Sequence, residues 1–341
     1  MKTPPRNVSL VKLALFFPFA SNLSKKLGIT LAGVLALLVL PAHADTFGSG
    51  GNAFAIDFVN IGNAGNTDDL GAGGGLYSSP YGGVPYAYRM GTFEISQDAI
   101  TKATASGLAN VTAGYWAGTQ PAANITWYQA AAFVNWLNTS TGHQAAYQID
   151  GGVTGLTLWS SVQAWQLGGE NLFRNKDAYY FLPSDDEWYK AAFHKNDGAT
   201  ANFWDYPTQS NGPTVPAPVA SGTGAGTVVY SSAGLSPAAV DNSGGLSAYG
   251  TRGQGGNVHE WLEGALDGTN DSPSEIRAVR GGFFDGNEED LRSSVQGYSV
   301  PENSFSGVGF RVASVVPEPS SLALLAAAAV GLASRRNHKT L

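Results

Sequence analysis

The chain has no cysteine. That excludes disulfides, thiolate nucleophiles, cysteine-ligated zinc and iron–sulfur centres together. Histidine is scarce: His43, His143, His194, His259 and His338 are the whole set. The first and last fall in targeting segments. The three dispersed histidines that remain argue against a multi-histidine metal centre. Charge is sparse as well, with 13% of 341 residues Asp, Glu, Lys or Arg and a net charge of −7. No basic footprint for nucleic acid exists, so no nucleic-acid partner is expected. Positive residues gather only beside apolar runs near the two ends, a pattern of membrane targeting.

Glycine is what the chain has in excess, at 44 residues. With so little charge, this predicts a loop-heavy globular protein rather than a helical bundle. No internal repeat is evident, and no break in composition divides Asp45 from Val316. One domain of about 270 residues is therefore expected.

The ends read as separate devices. Residues 1–44 form a secretory signal: Lys25 and Lys26, the apolar run Leu27 to Leu40, then the small-x-small site Ala42-His43-Ala44. The run is short for a membrane span, which favours cleavage before Asp45. An earlier apolar patch, Leu10 to Ala20, has no place in this reading. Residues 316–341 carry Pro317-Glu318-Pro319, an apolar segment from Leu322 to Ala333, and the pair Arg335 and Arg336. That segment would sit in the membrane with its arginines on the cytoplasmic side.

Between the ends, Phe54 to Val59 alternates as a strand does, and Tyr86 to Ile95 reads as a bent strand or strand pair. Gly62 to Gly83 and Gly212 to Gly226 are expected to be surface loops. Ser96 caps a short helix over Gln97 to Ala105. Asn124 to Asn138 is the clearest helix, opened by a capping box of Thr126 and Gln129, with Trp127 and Trp136 assigned to the core. Leu156 to Trp165 is a strand or irregular. After Pro183, Ser184 and Glu187 form a second capping box. Asp185, Asp186 and Glu187 resemble a catalytic or metal cluster, but helix capping accounts for their spacing.

The stretch around which the chain is organised is GGNVHEWLE, Gly255 to Glu263, followed by RGGFF, Arg280 to Phe284. His259 and Glu260 are the catalytic candidates, as a base or ligand pair. The competing reading makes His259 a partly exposed loop residue with a free rotamer. No nucleophile stands at a recognisable spacing, which favours the second reading. Arg280, Arg292 and Arg311 suit an anionic ligand or, more simply, internal carboxylates and carbonyls.

Four segments resemble one family. They are NITWYQAAAFVNWLN, FLPSDDEW, GGNVHEW, and RAVRGGFF with the later LRSS and Gly309-Phe310-Arg311. In order and spacing they are similar to the motifs of the sulfatase-modifying-factor domain family, typified by formylglycine-generating enzyme, over Pro85 to Ala313. The tail resembles a PEP-CTERM sorting signal. The first resemblance implies a loop-rich, single-domain α+β protein of the C-type-lectin-like fold over 45–315. The second implies a Gram-negative host and recognition by an exosortase, with the tail helix membrane-bound before processing.

The family's founding reaction uses two copper-binding cysteines, so neither that oxidase activity nor copper is expected here. Its sulfoxide-forming branches rely on an added helical domain and histidine-bound iron, which this chain lacks. The resemblance also implies calcium. Glu260 with backbone oxygens of Gly256 and Val258 would form one site, although Gly253 stands where a further side-chain ligand belongs. Asn202 and Phe203 would begin a second, with Asp205 and Asn211 as replacements for later ligands. The expectation is an exported, non-catalytic protein of the outer envelope, cell surface or extracellular matrix, binding a glycan or protein ligand through exposed loops and aromatic residues. The alternatives are a cysteine-independent enzyme centred on His259 and Glu260, or a structural matrix protein with no specific ligand.

Overall fold

The structure, a computed structural model, describes residues 44–71, 80–112, 114–231 and 233–317. The secretory signal, save Ala44, lies outside the described residues, as do Leu322 to Ala333 and the arginines after them.

The described chain opens with a hairpin of β1 (Ala44–Phe47) and β2 (Phe54–Ile61). Phe54, Ile56, Phe58 and Ile61 are buried while Ala55 and Asp57 are exposed, the alternation of a half-buried strand. β3 (Tyr88–Gly91) pairs with β2 and is shorter than the strand expected over residues 86–95. The chain bends at Thr92 and Phe93 and carries Glu94 inward. α1 (Gln97–Ala105) starts where Ser96 Oγ accepts from the Ala99 backbone N–H.

α2 (Trp127–Ser140) has its capping box complete. Thr126 Oγ1 accepts from Gln129 N at 3.1 Å, and Thr126 N donates to Gln129 Oε1 at 3.1 Å. Its apolar face is the centre of the main core, with Trp127, Ala130, Phe133, Val134 and Leu137 fully enclosed. Trp136 is half-buried and stacks on Phe54.

The ambiguous stretch 156–165 resolves into both readings. Leu156–Thr157 and Ala164–Trp165 are two short strands with irregular chain between them, and the second pairs with β4 (Asn171–Asn175). β5 (Tyr180–Phe181) is tied to α2 by Asn138, whose side chain accepts from Tyr179 N and Tyr180 N and donates to Tyr180 O. α3 (Asp185–Phe193) follows, again with its capping box intact. The loop expected at Gly212 to Gly226 contains Ala217–Pro218, which pair in parallel with Thr227–Val228.

The last elements are β6 (His259–Ala265), β7 (Arg277–Arg280), β8 (Gly297–Ser299), β9 (Val308–Gly309) and β10 (Ala313–Val315). They build two sheets. One has the order β1-β2-β3-β10-β5 and the other β8-β7-β6-β9. Because β9 belongs to the second sheet and β10 to the first, Phe310-Arg311-Val312 crosses between them. That crossing places Arg311 in the interior, next to β6.

Candidate functional site

Successive residues of a strand point to opposite faces, and β6 therefore separates His259 from Glu260. Glu260 is fully buried. Its Oε2 accepts from Arg311 Nε at 2.6 Å and from Trp188 Nε1 at 2.7 Å, and its Oε1 accepts from Arg311 Nη2 at 2.6 Å. Arg311 also donates to the carbonyls of Gly91 and Arg252. This pair is a bidentate brace joining both sheets and α3.

Beside it lies Glu94, a carboxylate that the sequence reading overlooked. It is buried, its Oε1 accepts from Asn257 Nδ2 at 2.9 Å, and its Oε2 has no hydrogen-bond partner. A Cβ added to Gly253 would meet this carboxylate at 2.4–2.6 Å. Gly253 therefore does not leave a hole for a metal ligand, because Glu94 fills it. Burial, opposed by Arg311 and reinforced by Glu260, pushes the Glu94 carboxyl up to about 8. A proton on Glu94 and the guanidinium of Arg311 neutralise the two carboxylates. Both Glu260 carboxylate oxygens are already engaged by Arg311 and Trp188, which does not favour the ligand role expected for Glu260 with Gly256 and Val258.

The folded state holds a proton on Glu94 that the unfolded chain loses above pH about 4.5. Its contribution is complete below that pH and is lost as pH climbs towards about 8. Replacing Glu94→Gln should flatten this decline, with a gain on the order of a few kcal/mol over wild type at the alkaline end. Chemical melts across pH measure it. A parallel decline in both proteins, or a calcium-induced rise in the wild-type melting temperature, contradicts the assignment.

At the second expected calcium site the side chains already have partners. Asn202 Nδ2 donates to Asp197, Phe203 packs on Tyr189 and His194, and Asp205 and Asn211 bond backbone N–H groups of their own turn. Among the described residues no group of three or more His, Asp or Glu is arranged to hold a metal. His143 stacks on Tyr179, and His194 is buried against Tyr249, so neither joins His259.

The carboxylates of α3 do more than cap. Glu187 is fully buried and shares Arg174 with Glu263, also fully buried. Arg174 donates to Glu263 at 2.8 and 2.7 Å and to Glu187 at 3.0 and 2.9 Å, while its guanidinium lies 3.7 Å from the Phe181 ring centroid. Tyr86 and Tyr147 hydroxyls donate to Glu187 and Glu263. Asp185 pairs with Arg280, which also donates to the carbonyls of Ser293 and Val295. Arg280 and Arg311 are thus held internally. Arg292 lies over the Tyr206 ring.

His259, half-buried at the start of β6, is not a loop residue with a free rotamer. Its ring lies 5.3 Å from Phe283. Burial lowers its pKa, so it is neutral at neutral pH. It ends a chain of rings: His259, Phe283, Phe284, Trp116 and Tyr115, with successive centroids 5.3, 5.7, 5.6 and 4.8 Å apart. Tyr115 is 68% exposed, and Trp116, Phe284 and Phe283 are half-buried. Trp116 is fixed by a bond from Nε1 to the Ser306 carbonyl. The sequence offered GFF as a motif but nothing that joined it to Tyr115 and Trp116.

These features define a cysteine-free, loop-rich α+β domain whose motif carboxylates brace the interior and whose exposed chemistry is aromatic. A model of the sulfatase-modifying factor enzyme 1-like domain matches residues 87–316, and the chain belongs to that family. A PEP-CTERM protein-sorting motif matches residues 315–337, which implies export and recognition by an exosortase. Among solved structures, Treponema denticola variable protein 1 is similar at 20% identity and a TM-score of 0.54, over 80% of this chain and 99% of that one. CarF is similar at 20% identity and a TM-score of 0.52, over 77% and 99%. These likenesses establish the expected C-type-lectin-like fold of the sulfatase-modifying-factor type. No curated protein matches the chain.

Proposed function

We propose that this is an exported, non-catalytic protein whose domain binds glycan through the ring strip running from Tyr115 to His259. After an exosortase processes the tail, the domain resides at the outer envelope, the cell surface or in the extracellular matrix. The observation that carries this reading is the strip itself. The run reaches the surface at Tyr115 while its other rings are half-buried; an apolar patch of this kind marks an interaction surface, and ring faces stack on the C–H faces of sugars. The lack of cysteine removes the family's copper oxidase chemistry. The separation of His259 from Glu260 argues against the enzyme alternative.

Electrophoresis of the secreted protein through gels containing dissolved polysaccharides tests the proposal. Retardation is expected in at least one neutral glycan, and Trp116→Ala should weaken it about tenfold, the value of one stacked ring. Equal mobility in every glycan favours the structural-matrix alternative. Retardation that Trp116→Ala leaves unchanged places the contact elsewhere.

A further inference from the structure

A second concavity, separate from the ring strip, lies between the segments 80–86 and 165–171 at the start of α3. Its volume is about 350 Å³, at the small end of ligand pockets. Gly83, Gly168, Gly169, Gly264 and Gly268 line it. Tyr81, Tyr86 and Trp165 contribute ring surface, with Tyr86 and Trp165 edge to face at 5.6 Å.

The charges on its walls are unequal. Arg174 lines it but is held by Glu187 and Glu263, and Asp185, which also lines it, is paired with Arg280. Asp186 and Glu170 also line the space and make no salt bridge among the described residues. Asp186 is half-buried, and its Oδ1 accepts a bond from Gly82 N at 2.9 Å. The net charge is negative, and the walls are aromatic. Among the described residues no group of three or more His, Asp or Glu is arranged to hold a metal ion here. Arg174 already lies over the Trp165 ring and Arg280 over the Tyr81 ring, so for an ammonium on a carbon skeleton the carboxylate meets the charge and the remaining ring surface meets the apolar part.

We propose that this cleft binds an organic ammonium group, with Asp186 as its counter-ion and Tyr81, Tyr86 and Trp165 as its apolar wall. The groups facing Asp186 are Asp185 and Glu187 on its own helix and Asp68 from the opposite segment. Burial and these neighbours raise its carboxyl to about 7. A permanently charged ligand should therefore bind more tightly as pH rises from 6 to 8, because binding requires the ionised carboxylate.

The test uses the full exported protein and two matched probe pairs in NMR titration. One pair is choline and its uncharged isostere 3,3-dimethylbutan-1-ol, and the other is glucosamine and N-acetylglucosamine. The charged member of at least one pair should bind, with shift changes confined to residues 80–86 and 165–171, and its neutral partner should bind at least tenfold more weakly. Preference between choline and glucosamine identifies a quaternary or an amino-sugar source. Asp186→Asn should weaken binding about tenfold or more, and Glu170→Gln, at an exposed position, two- to threefold. Equal affinity for charged and neutral members, no binding by either, or indifference to both substitutions overturns the proposal. Loss of glycan retardation by Trp116→Ala leaves this binding unaltered, so the two readings fail separately.

Discussion

Arg174→Met should lower the stability of the domain by about 3–5 kcal/mol, the typical effect of breaking a buried ion pair. The arginine is fully buried between Glu187 and Glu263, which are themselves shielded from water. Removing it leaves two carboxylates without a cation in a low-dielectric interior, and it removes the contact with Phe181. Methionine is of similar length, so cavity formation is a minor part of the effect. Arg174 holds the Glu187 carboxyl below its ordinary range against the effect of burial. The defect should therefore be largest at neutral pH and shrink in acid, where the orphaned carboxylates accept protons. Denaturant melts at several pH values measure it. Adding Glu187→Gln and Glu263→Gln should recover much of the loss, since neutral partners remove the uncompensated charge. A loss under about 1 kcal/mol at neutral pH would show that the triad is not a structural brace.

Gly256→Ala should cost about 2–4 kcal/mol, a large effect for one methyl group. Gly256 has φ +68°, in the left-handed region where a side chain costs about 1–2 kcal/mol. An added Cβ would also stand 2.2 Å from the backbone oxygen of Val229 and 2.7 Å from Val228 Cγ1. The first contact is with main chain, which cannot swing aside, and overpacking of this kind costs a further 1–3 kcal/mol or so. The neighbouring bond from Gly256 N to the Gly281 carbonyl, at 2.6 Å, ties the two motif loops together. Thermal melts read the loss, and a variant within about 0.5 kcal/mol of wild type contradicts this account. Gly50 is the control: its φ is also positive, but an added Cβ there meets nothing within 4 Å.

Local features were readable from the chain in proportion to how local their physics is. The caps at Ser96, Thr126 and Ser184 each involve a residue three positions on, and all three form as expected. The alternation of Phe54 to Ile61 gave the strand and its inward face. Shorter elements were less readable: Tyr88 to Gly91 ends early because the chain bends to bury Glu94, and nothing in FEI marks that glutamate as interior. The acidic run at the start of α3 shows the same limit. Capping accounts for its spacing, yet each carboxylate has a further partner that capping does not predict.

The sequence by itself determined the absence of thiol chemistry, the helix starts, the family motifs and the sorting tail. These depend on residue identity or on bonds spanning a few positions. Only the tertiary structure decided what the motif residues do. Glu260 meets Arg311 across 51 positions, Arg174 meets Glu263 across 89, and Asn257 meets Glu94 across 163. The sheet crossing through Phe310-Arg311-Val312 and the bend before Glu94 bring these charges together, and neither is written in local spacing. Buried charges must find partners wherever the packed chain supplies them. GGNVHEWLE therefore contributes Glu260 and Glu263 to buried ion pairs, and the surfaces proposed for binding are the ring strip and the acidic cleft.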